Sequence, residues 1–287
     1  MNKKLLATIS ILVLVGLILL SLTLWDKEVE KSKQGLTEYH LEKDEEAKQD
    51  AKEREEEIST YSELAQRLYH DDVESINLIG DSITAGVGVP SQSFPDDGRI
   101  IYEDDEYEFR ESNHTGETWA NGFRTYIHSN FMEIDFLNSG IGGRSTEWAV
   151  EHQSTWLSDN EDVVFVMLGT NDRLSGDLDL LNQNLRSFLS FVDDNSNTMV
   201  VMSPPPASSD VEYEFGAKEI NELVKRISEE NNYTFISHYE HFNEYVEEND
   251  IEMTDLIHPD GTHPIEKGYH EMWRHIKSEL DLDKITN

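Results

Sequence analysis

Short apolar runs alternate with amphipathic stretches after about residue 72, and this alternation limits the fold more than any other feature of the chain. Short apolar runs of this kind are typical of strands buried on both faces of a sheet. They comprise residues 76–79, 134–137, 163–168, 199–202 and 235–236. Alternating strands and helices predict a parallel sheet with right-handed crossovers. We therefore expect a three-layer α/β/α domain over residues 72–287, with a doubly wound, five-stranded parallel sheet.

The charge balance excludes one large class of partners. The chain has 23 basic and 59 acidic residues, a net charge of −36. Nucleic-acid binding depends on Lys and Arg neutralising phosphates, so we expect no nucleic-acid partner. The chain also has no cysteine. Disulfides, thiolate catalysis and cysteine-ligated zinc are therefore excluded.

The N-terminus carries an apolar, uncharged segment at residues 5–25, preceded by Lys3 and Lys4 and closed by Trp25. As a helix this segment would span about 30 Å, the thickness of a bilayer core. A cleaved signal peptide has an apolar region of only ~7–15 residues and a small-residue cleavage site. Residues 1–25 are therefore predicted to be an uncleaved signal anchor, a single-pass transmembrane helix with the globular part on the extracytoplasmic side of the cell membrane.

Residues 26–71 form a charged segment of different composition. From residue 26 to about residue 58 it is nearly all Glu, Lys, Asp, Gln and Ala. Such a segment is typical of a solvated helix with charge pairs four residues apart. It lacks the repeated apolar positions of a coiled coil. We interpret it as a linker or helical stalk that spaces the domain from the membrane.

Residues 91–118 interrupt the alternation of strands and helices. A turn signal at residues 94–98 is followed by a segment that suits a small hairpin turning at Asp104 and Asp105. This insertion directly follows the first strand-end loop, so it is expected near the same edge of the sheet. Two interpretations stay open, a lid or substrate rim and a surface decoration.

Four loops that follow predicted strands carry chemically useful residues. They are residues 80–82 (Gly-Asp-Ser), 138–144, 169–172 and 255–264. Because ligands bind at the carboxyl edge of an open α/β sheet, these loops are expected to meet at one site. Ser82 is the candidate nucleophile there. A serine needs a base, a group that orients the base, and donors for the oxyanion.

In their order and content the four blocks resemble the SGNH hydrolases, the GDSL esterase and lipase superfamily, over about residues 75–280. The resemblance implies a flavodoxin-like α/β/α fold with Ser82 as the nucleophile. It implies an oxyanion hole formed by the backbone N–H groups of Ser82 and Gly143 and the side-chain amide of Asn171. It also implies a base in a final Asp-x-x-His-Pro motif, with its Asp as the orienting carboxylate.

Simpler roles stand beside these. Gly143 is one of three glycines in its block and also suits a tight turn, and an isolated Asn171 would suit a helix cap. Asp81 is expected to brace the nucleophile loop rather than to perform a chemical step. Many family members have an acidic residue where this chain has Arg144. We hypothesise that Arg144 lies at the rim of the oxyanion site and attracts an anionic substrate group, such as a sugar carboxylate.

The final motif occurs twice, as Asp255/His258 and as Asp260/His263. Spacing alone does not separate the two pairs. Pro264 leads into a helical stripe, which suits the family pattern, whereas His258 is followed by a turn. Asp260 and His263 are therefore the predicted pair.

These observations predict a membrane-anchored serine esterase that removes short-chain O-acyl groups from a small molecule or a cell-envelope glycan. An O-acyltransferase would use the same residues, and a non-catalytic envelope-binding protein could retain the fold. The chemistry calls for no cofactor and no metal ion. The expected partners are the acylated substrate and the membrane.

Overall fold

The computed structural model describes residues 3–113, 115–131, 133–158, 160–207 and 213–286, without the side chains of residues 3–8, 10 and 11. The chain forms two compact units, Met1–Thr60 and Tyr61–Asn287. The first unit contains helix α1 (Lys3–Ile58). The second contains the sheet and every loop that carries a predicted site residue.

Helix α1 has the solvated character predicted for the charged segment. Its described side chains from residue 26 to residue 53 are all exposed. Ion pairs three residues apart line it, such as Lys33 with Glu30 at 3.3 Å and Arg54 with Glu57 at 3.0 Å. Exposed pairs of this kind each contribute roughly 0–1 kcal/mol, so they favour the helix without rigidly fixing it.

The predicted membrane span, residues 5–25, lies within α1. Six of its residues, 5–8, 10 and 11, have side chains outside the described part of the structure. Over the residues that are described, no helix has a stretch both long and apolar enough to cross a membrane.

The second unit alternates strands and helices as expected. Its strands are β1 (Ser75–Gly80), β2 (Ile100–Glu103), β3 (Glu108–Arg110), β4 (Asp135–Gly140), β5 (Glu161–Met167), β6 (Ser196–Ser203) and β7 (Thr234–Ser237). Its helices are α2 (Glu63–Tyr69), α3 (Ser82–Ala85), α4 (Trp119–Asn130), α5 (Thr146–Trp156), α6 (Leu178–Asp194), α7 (Ala217–Asn231), α8 (His238–Asn249) and α9 (Glu266–Glu279). Short 3-10 turns occupy Thr170–Leu174, Met253–Asp255 and Leu282–Lys284.

The main sheet has five parallel strands in the order β4-β1-β5-β6-β7. Each strand coincides with one of the five apolar runs, so the predicted α/β fold and strand number are confirmed. Counted along the chain, this order is 2-1-3-4-5, the flavodoxin-like arrangement. Its switch point lies between β1 and β5, where the chain leaves the two strands in opposite directions. A crevice at the carboxyl ends of these strands is the general ligand position in such sheets.

Both faces of the sheet are covered, which explains why its strands are apolar on both sides. Val164 and Val166 of β5 belong to a core shared with α5, α6 and α7. On the other face, Phe165 packs against Phe123 of α4 with ring centroids 5.1 Å apart. Phe123 in turn stacks on Trp273 of α9 at 5.2 Å. Successive strand side chains point to opposite faces, so alternate residues of one strand reach both helical layers.

The insertion contains the predicted hairpin. Strands β2 and β3 pair in antiparallel fashion, and the backbone N–H of Asp104 donates to the carbonyl of Tyr107 at 2.9 Å. Arg99, just before β2, makes a bidentate ion pair with Asp135 of β4 at 2.7 and 2.8 Å. Glu111, just after β3, pairs with buried Arg124 of α4. The hairpin is therefore fastened to the domain at both of its ends.

Three histidines form a cluster between α8 and α9. His238 is fully buried and its Nδ1 lies 3.4 Å from Nδ1 of His275, whose ring stacks on His241 at 4.0 Å. Burial lowers the pKa of His238 well below the usual 6.5 and the pKa of His275 to about 3. Burial also lowers the pKa of His241, against the opposing charge of Glu271. Within the described ranges, no three His, Asp or Glu side chains are grouped to hold a metal ion.

This cluster predicts a loss of stability in mild acid. The folded state keeps the histidines neutral, whereas the unfolded chain takes up protons as the pH falls through about 6.5. The contribution of these neutral histidines to stability is therefore fully present above pH 6.5 and decreases as the pH falls below that value. Between pH 7.5 and pH 5, the free energy of unfolding should drop by about 2 kcal/mol less in His275→Leu than in the wild type, as measured by urea denaturation.

A matched control is His40→Gln, because His40 is exposed on α1. Its pH dependence should equal that of the wild type. Equal pH dependence in His275→Leu and in the wild type would contradict the role given to the cluster.

Candidate active site

Ser82 is the first residue of α3, directly beyond the carboxyl end of β1. Asp81 caps this short helix, because its Oδ1 accepts a hydrogen bond from the backbone N–H of Ile83 at 2.9 Å. Gly86 ends the helix with φ of 87°, a left-handed conformation that favours glycine. The prediction that Asp81 braces the nucleophile loop is confirmed.

Helix α3 lies very close to the neighbouring strand. A Cβ on Gly140, the last residue of β4, would lie 2.4 Å from the backbone nitrogen of Ala85. A Cβ on Gly80 would lie 2.0 Å from Oγ1 of Thr84. Glycine at both positions therefore lets α3 pack directly on the end of the sheet, and this packing sets the position of Ser82.

His263 and Asp260 complete a continuous line of hydrogen bonds to the serine. His263 Nε2 lies 2.8 Å from Ser82 Oγ, and its Nδ1 lies 2.7 Å from Asp260 Oδ2. The other carboxylate oxygen accepts from the backbone N–H groups of Thr262 at 2.9 Å and His263 at 3.0 Å. Burial opposes ionisation of Asp260, but these hydrogen bonds outweigh it and lower its pKa to about 2. Asp260 is therefore an anion throughout the neutral range.

The competing pair is arranged differently. Asp255 accepts a hydrogen bond from the backbone of Glu252 within its own 3-10 turn. His258 Nδ1 lies 3.2 Å from Asp260 Oδ2, and the His258 backbone N–H donates to the His263 carbonyl at 2.7 Å. His258 thus braces the loop that carries Asp260, while the contact with Ser82 is made by His263.

The second and third blocks meet beside Ser82. A Cβ on Gly142 would lie 3.7 Å from the Ser82 Cβ, and the next residue, Gly143, has φ of 77° and open space around it. Asn171 lies in the turn after β5, and its Nδ2 donates to the carbonyl of Arg144 at 3.0 Å. An amide group has two N–H donors. One N–H of Asn171 joins the second block to the third through the Arg144 carbonyl, and the other N–H can donate to another acceptor.

Arg144 lies among aromatic side chains, and no carboxylate of the described ranges forms an ion pair with it. Its guanidinium carbon is 4.7 Å from the ring centroid of Phe109, 5.0 Å from Trp148 and 5.9 Å from Tyr107. Phe109 and Tyr107 belong to the hairpin of the insertion, and Trp148 to α5. The inserted segment therefore contacts the loop that carries Gly143 and Arg144, as its position after the Ser82 loop predicted.

Two supporting interactions were not predicted from the sequence. Buried Asp172 accepts hydrogen bonds from the backbone N–H and the hydroxyl of Thr146, which ties the third block to the start of α5. Arg173 is buried and lies 3.4 Å, through Nη2, from Oγ1 of Thr262 in the His263 loop. Thr146 follows a capping serine, Ser145, so a helix start was readable there. Its pairing with Asp172 depends on the tertiary fold.

Asp81 is a second carboxylate close to the histidine. Burial raises its pKa to about 6, against the lowering effects of the Ile83 N–H and of the charge on His263. Its Oδ2 is buried, and the nearby Thr170 hydroxyl also lowers the pKa of Asp81. Burial likewise raises the pKa of Asp172, against the hydrogen bonds from Thr146. Asp260 is the carboxylate of these three with a lowered pKa, and it is also the one that contacts His263.

Ser82 lies at the switch point and is hydrogen-bonded to His263, and His263 in turn contacts the ionised Asp260. The fold and this arrangement are those of a hydrolase of the SGNH type. The chain belongs to the GDSL-like lipase/acylhydrolase family, whose model matches residues 78–271. It is a carboxylic ester hydrolase. No functionally curated protein matches the chain in sequence.

Solved structures share this fold at low sequence identity. Axe2, an acetylxylan esterase from Geobacillus stearothermophilus, is 20% identical, with a TM-score of 0.56 over 72% of this chain and 94% of that one. A member of the lipolytic protein G-D-S-L family from Veillonella parvula DSM 2008 is 22% identical, with a TM-score of 0.53 over 71% of this chain and 96% of that one. These similarities establish the fold of the second unit.

Proposed function

We propose that the protein hydrolyses short-chain O-acyl esters with Ser82 as the nucleophile, His263 as the general base and Asp260 as the orienting carboxylate. The observation that carries this proposal is the line of two hydrogen bonds, 2.8 Å from Ser82 Oγ to His263 Nε2 and 2.7 Å from His263 Nδ1 to Asp260 Oδ2. The ionised Asp260 favours the tautomer that leaves Nε2 free to accept the serine proton, and it stabilises the imidazolium that forms.

The reaction proceeds in two halves. Ser82 Oγ attacks the acyl carbonyl while His263 Nε2 takes its proton, and the tetrahedral intermediate expels the alcohol, which receives that proton from His263. Water then attacks the acyl-serine with His263 again acting as base. The acid leaves, and the proton returns to Ser82 Oγ. An acceptor hydroxyl in place of water would make the same residues an acyltransferase, and the products formed with acceptor glycans distinguish the two reactions.

The oxyanion of each tetrahedral intermediate requires donors that are already in place. We assign them to the backbone N–H groups of Ser82 and Gly143 and to the free N–H of the Asn171 amide. The bond from Asn171 to the Arg144 carbonyl supports this assignment, because it fixes the amide beside the loop that carries Gly143. Loss of one such donor typically lowers the rate by about 100- to 1,000-fold.

The substrate proposed is an acylated glycan of the cell envelope, with a short acyl group such as acetyl. The acetylxylan esterase activity of a protein with the same fold supports an acylated sugar. The location proposed is the outer face of the cell membrane, with residues 1–25 as anchor and residues 26–71 as spacer. The uncharged run at residues 5–25, preceded by Lys3 and Lys4, supports this location.

Protease treatment of intact cells tests the location. The globular part should be cleaved from outside, while a cytoplasmic control protein remains whole. Protection of the globular part in intact cells, followed by its cleavage after lysis, would show that it lies inside and would contradict the proposed location.

A fluorophosphonate probe tests the nucleophile, because such probes react covalently with activated serines. The full-length protein should be labelled, and Ser82→Ala should lose both labelling and hydrolysis of p-nitrophenyl acetate. A matched control is Ser145→Ala, because Ser145 caps α5 and its hydroxyl oxygen accepts a hydrogen bond from the Trp148 N–H. Labelling that persists in Ser82→Ala would exclude Ser82 as the nucleophile.

Separate substitutions of the two candidate histidines test the base. His263→Ala should lower kcat for p-nitrophenyl acetate by at least about 1,000-fold, because nothing then accepts the serine proton. His258→Ala should stay within about tenfold of the wild type, since it removes only a brace on the Asp260 loop. A larger loss of kcat in His258→Ala than in His263→Ala would instead identify His258 as the base.

A further inference from the structure

Arg144 occupies an unusual position for a cation in so acidic a protein. Acidic residues outnumber basic ones by 59 to 23, yet over the described residues no carboxylate lies within ion-pair distance of Arg144. Its Nε is buried and has no hydrogen-bond partner there either. The residue directly follows Gly143, so this unpaired guanidinium belongs to the loop beside Ser82.

The acidic side chains of the adjacent hairpin are already engaged with other groups. Asp104 accepts hydrogen bonds from the Tyr102 hydroxyl and from the backbone N–H groups of Glu106 and Tyr107. Glu106 accepts from the Tyr107 hydroxyl at 2.7 Å. Glu108 pairs with Arg110 at 2.7 Å. In the part of the chain that the structure describes, none of these carboxylates therefore forms an ion pair with Arg144.

Three aromatic rings surround the guanidinium and form what we call the aromatic box: Tyr107, Phe109 and Trp148. Tyr107 is 40% exposed and stacks parallel to Phe109, with an interplanar angle of 11°. A guanidinium stacked on rings keeps the N–H donors in its plane available for a carboxylate or phosphate. Partly exposed rings also offer faces to the apolar side of a sugar.

The box is held by the domain and does not depend on Arg144 alone. Nδ1 of His152 in α5 lies 2.7 Å from the Tyr102 hydroxyl oxygen, and the His152 ring stacks on Trp148 at 4.4 Å. Tyr102 is 2% exposed and packs against Phe109 at 5.8 Å. These contacts fix β2, β3 and α5 relative to one another. The rings around Arg144 are thus preorganised before any substrate arrives.

We infer that Arg144 and the aromatic box form a subsite for a carboxylate-bearing sugar next to the scissile ester, which makes the substrate an acylated acidic glycan. The guanidinium recognises the sugar carboxylate, and Tyr107 packs on the sugar ring. This inference rests on the proposed esterase function of Ser82, and it assigns the insertion a role as a substrate rim.

Two matched substrates test the subsite: monoacetylated methyl glucuronoside and monoacetylated methyl glucoside, which differ only in carrying a carboxylate or a hydroxymethyl group. The full-length wild type should have a higher kcat/KM for the acidic sugar. Arg144→Met should lower the acidic-to-neutral ratio of kcat/KM by about tenfold or more, as expected for losing one charge-assisted contact. Arg144→Lys, which keeps a point charge but not the planar fork, should give an intermediate ratio.

Arg186→Met is the matched control, because Arg186 lies on α6 in an ion pair with Glu230 at 2.6 Å. Its substrate ratio should equal that of the wild type. A ratio that is unchanged in Arg144→Met, or a wild type without preference for the acidic sugar, would overturn the subsite.

A binding measurement separates this failure from failure of the esterase proposal. Ser82→Ala should bind unacetylated methyl glucuronoside more tightly than methyl glucoside in NMR titrations, and Arg144→Met added to Ser82→Ala should abolish the difference. Equal affinities for the two sugars would overturn the subsite even if both esters are hydrolysed. Ester hydrolysis that persists in Ser82→Ala would instead overturn the role of Ser82 and leave the binding preference standing.

Discussion

The hydrogen bond between Ser82 and His263 joins segments 181 residues apart, and much of the second unit serves to make it possible. The sheet order sets β1 at the switch point and so places the serine at the crevice. Close packing brings the histidine there. A Cβ on Gly88 would lie 2.9 Å from the His263 Cβ, and the Tyr269 hydroxyl of α9 donates to the Val87 carbonyl at 2.6 Å. The loop after α3 and the loop before α9 are therefore held in direct contact.

The carboxylates around this contact are distinguished by their surroundings. Asp260 has backbone donors and keeps a pKa of about 2, whereas burial raises the pKa of Asp81 to about 6. As the pH falls, Asp81 is neutralised well before Asp260. Asp260 thus retains its charge over the whole range in which a histidine can act as a base.

Local patterns were enough to predict the elements, because strand periodicity and strand-end motifs are properties of short segments. The five apolar runs became the five parallel strands, and Asp104 and Asp105 mark the turn of the hairpin. Partners that depend on the fold were not predictable in this way. The donation from Asn171 to the Arg144 carbonyl and the histidine cluster between α8 and α9 join residues that no spacing rule connects. Their assignment requires the packed structure.

The insertion gives a common esterase framework a distinct surface. In open α/β sheets the strand ends position the reacting groups, while the loops beyond them differ and determine what is bound. Here the hairpin is fastened by Arg99 and Glu111 at its ends, so it is an integral part of the domain. Its Tyr107 and Phe109 rings contact the guanidinium of Arg144, the residue that follows Gly143. In the proposed function, recognition and oxyanion stabilisation would share one loop, and a substrate group bound at Arg144 would hold the scissile carbonyl in register with the donors beside Ser82.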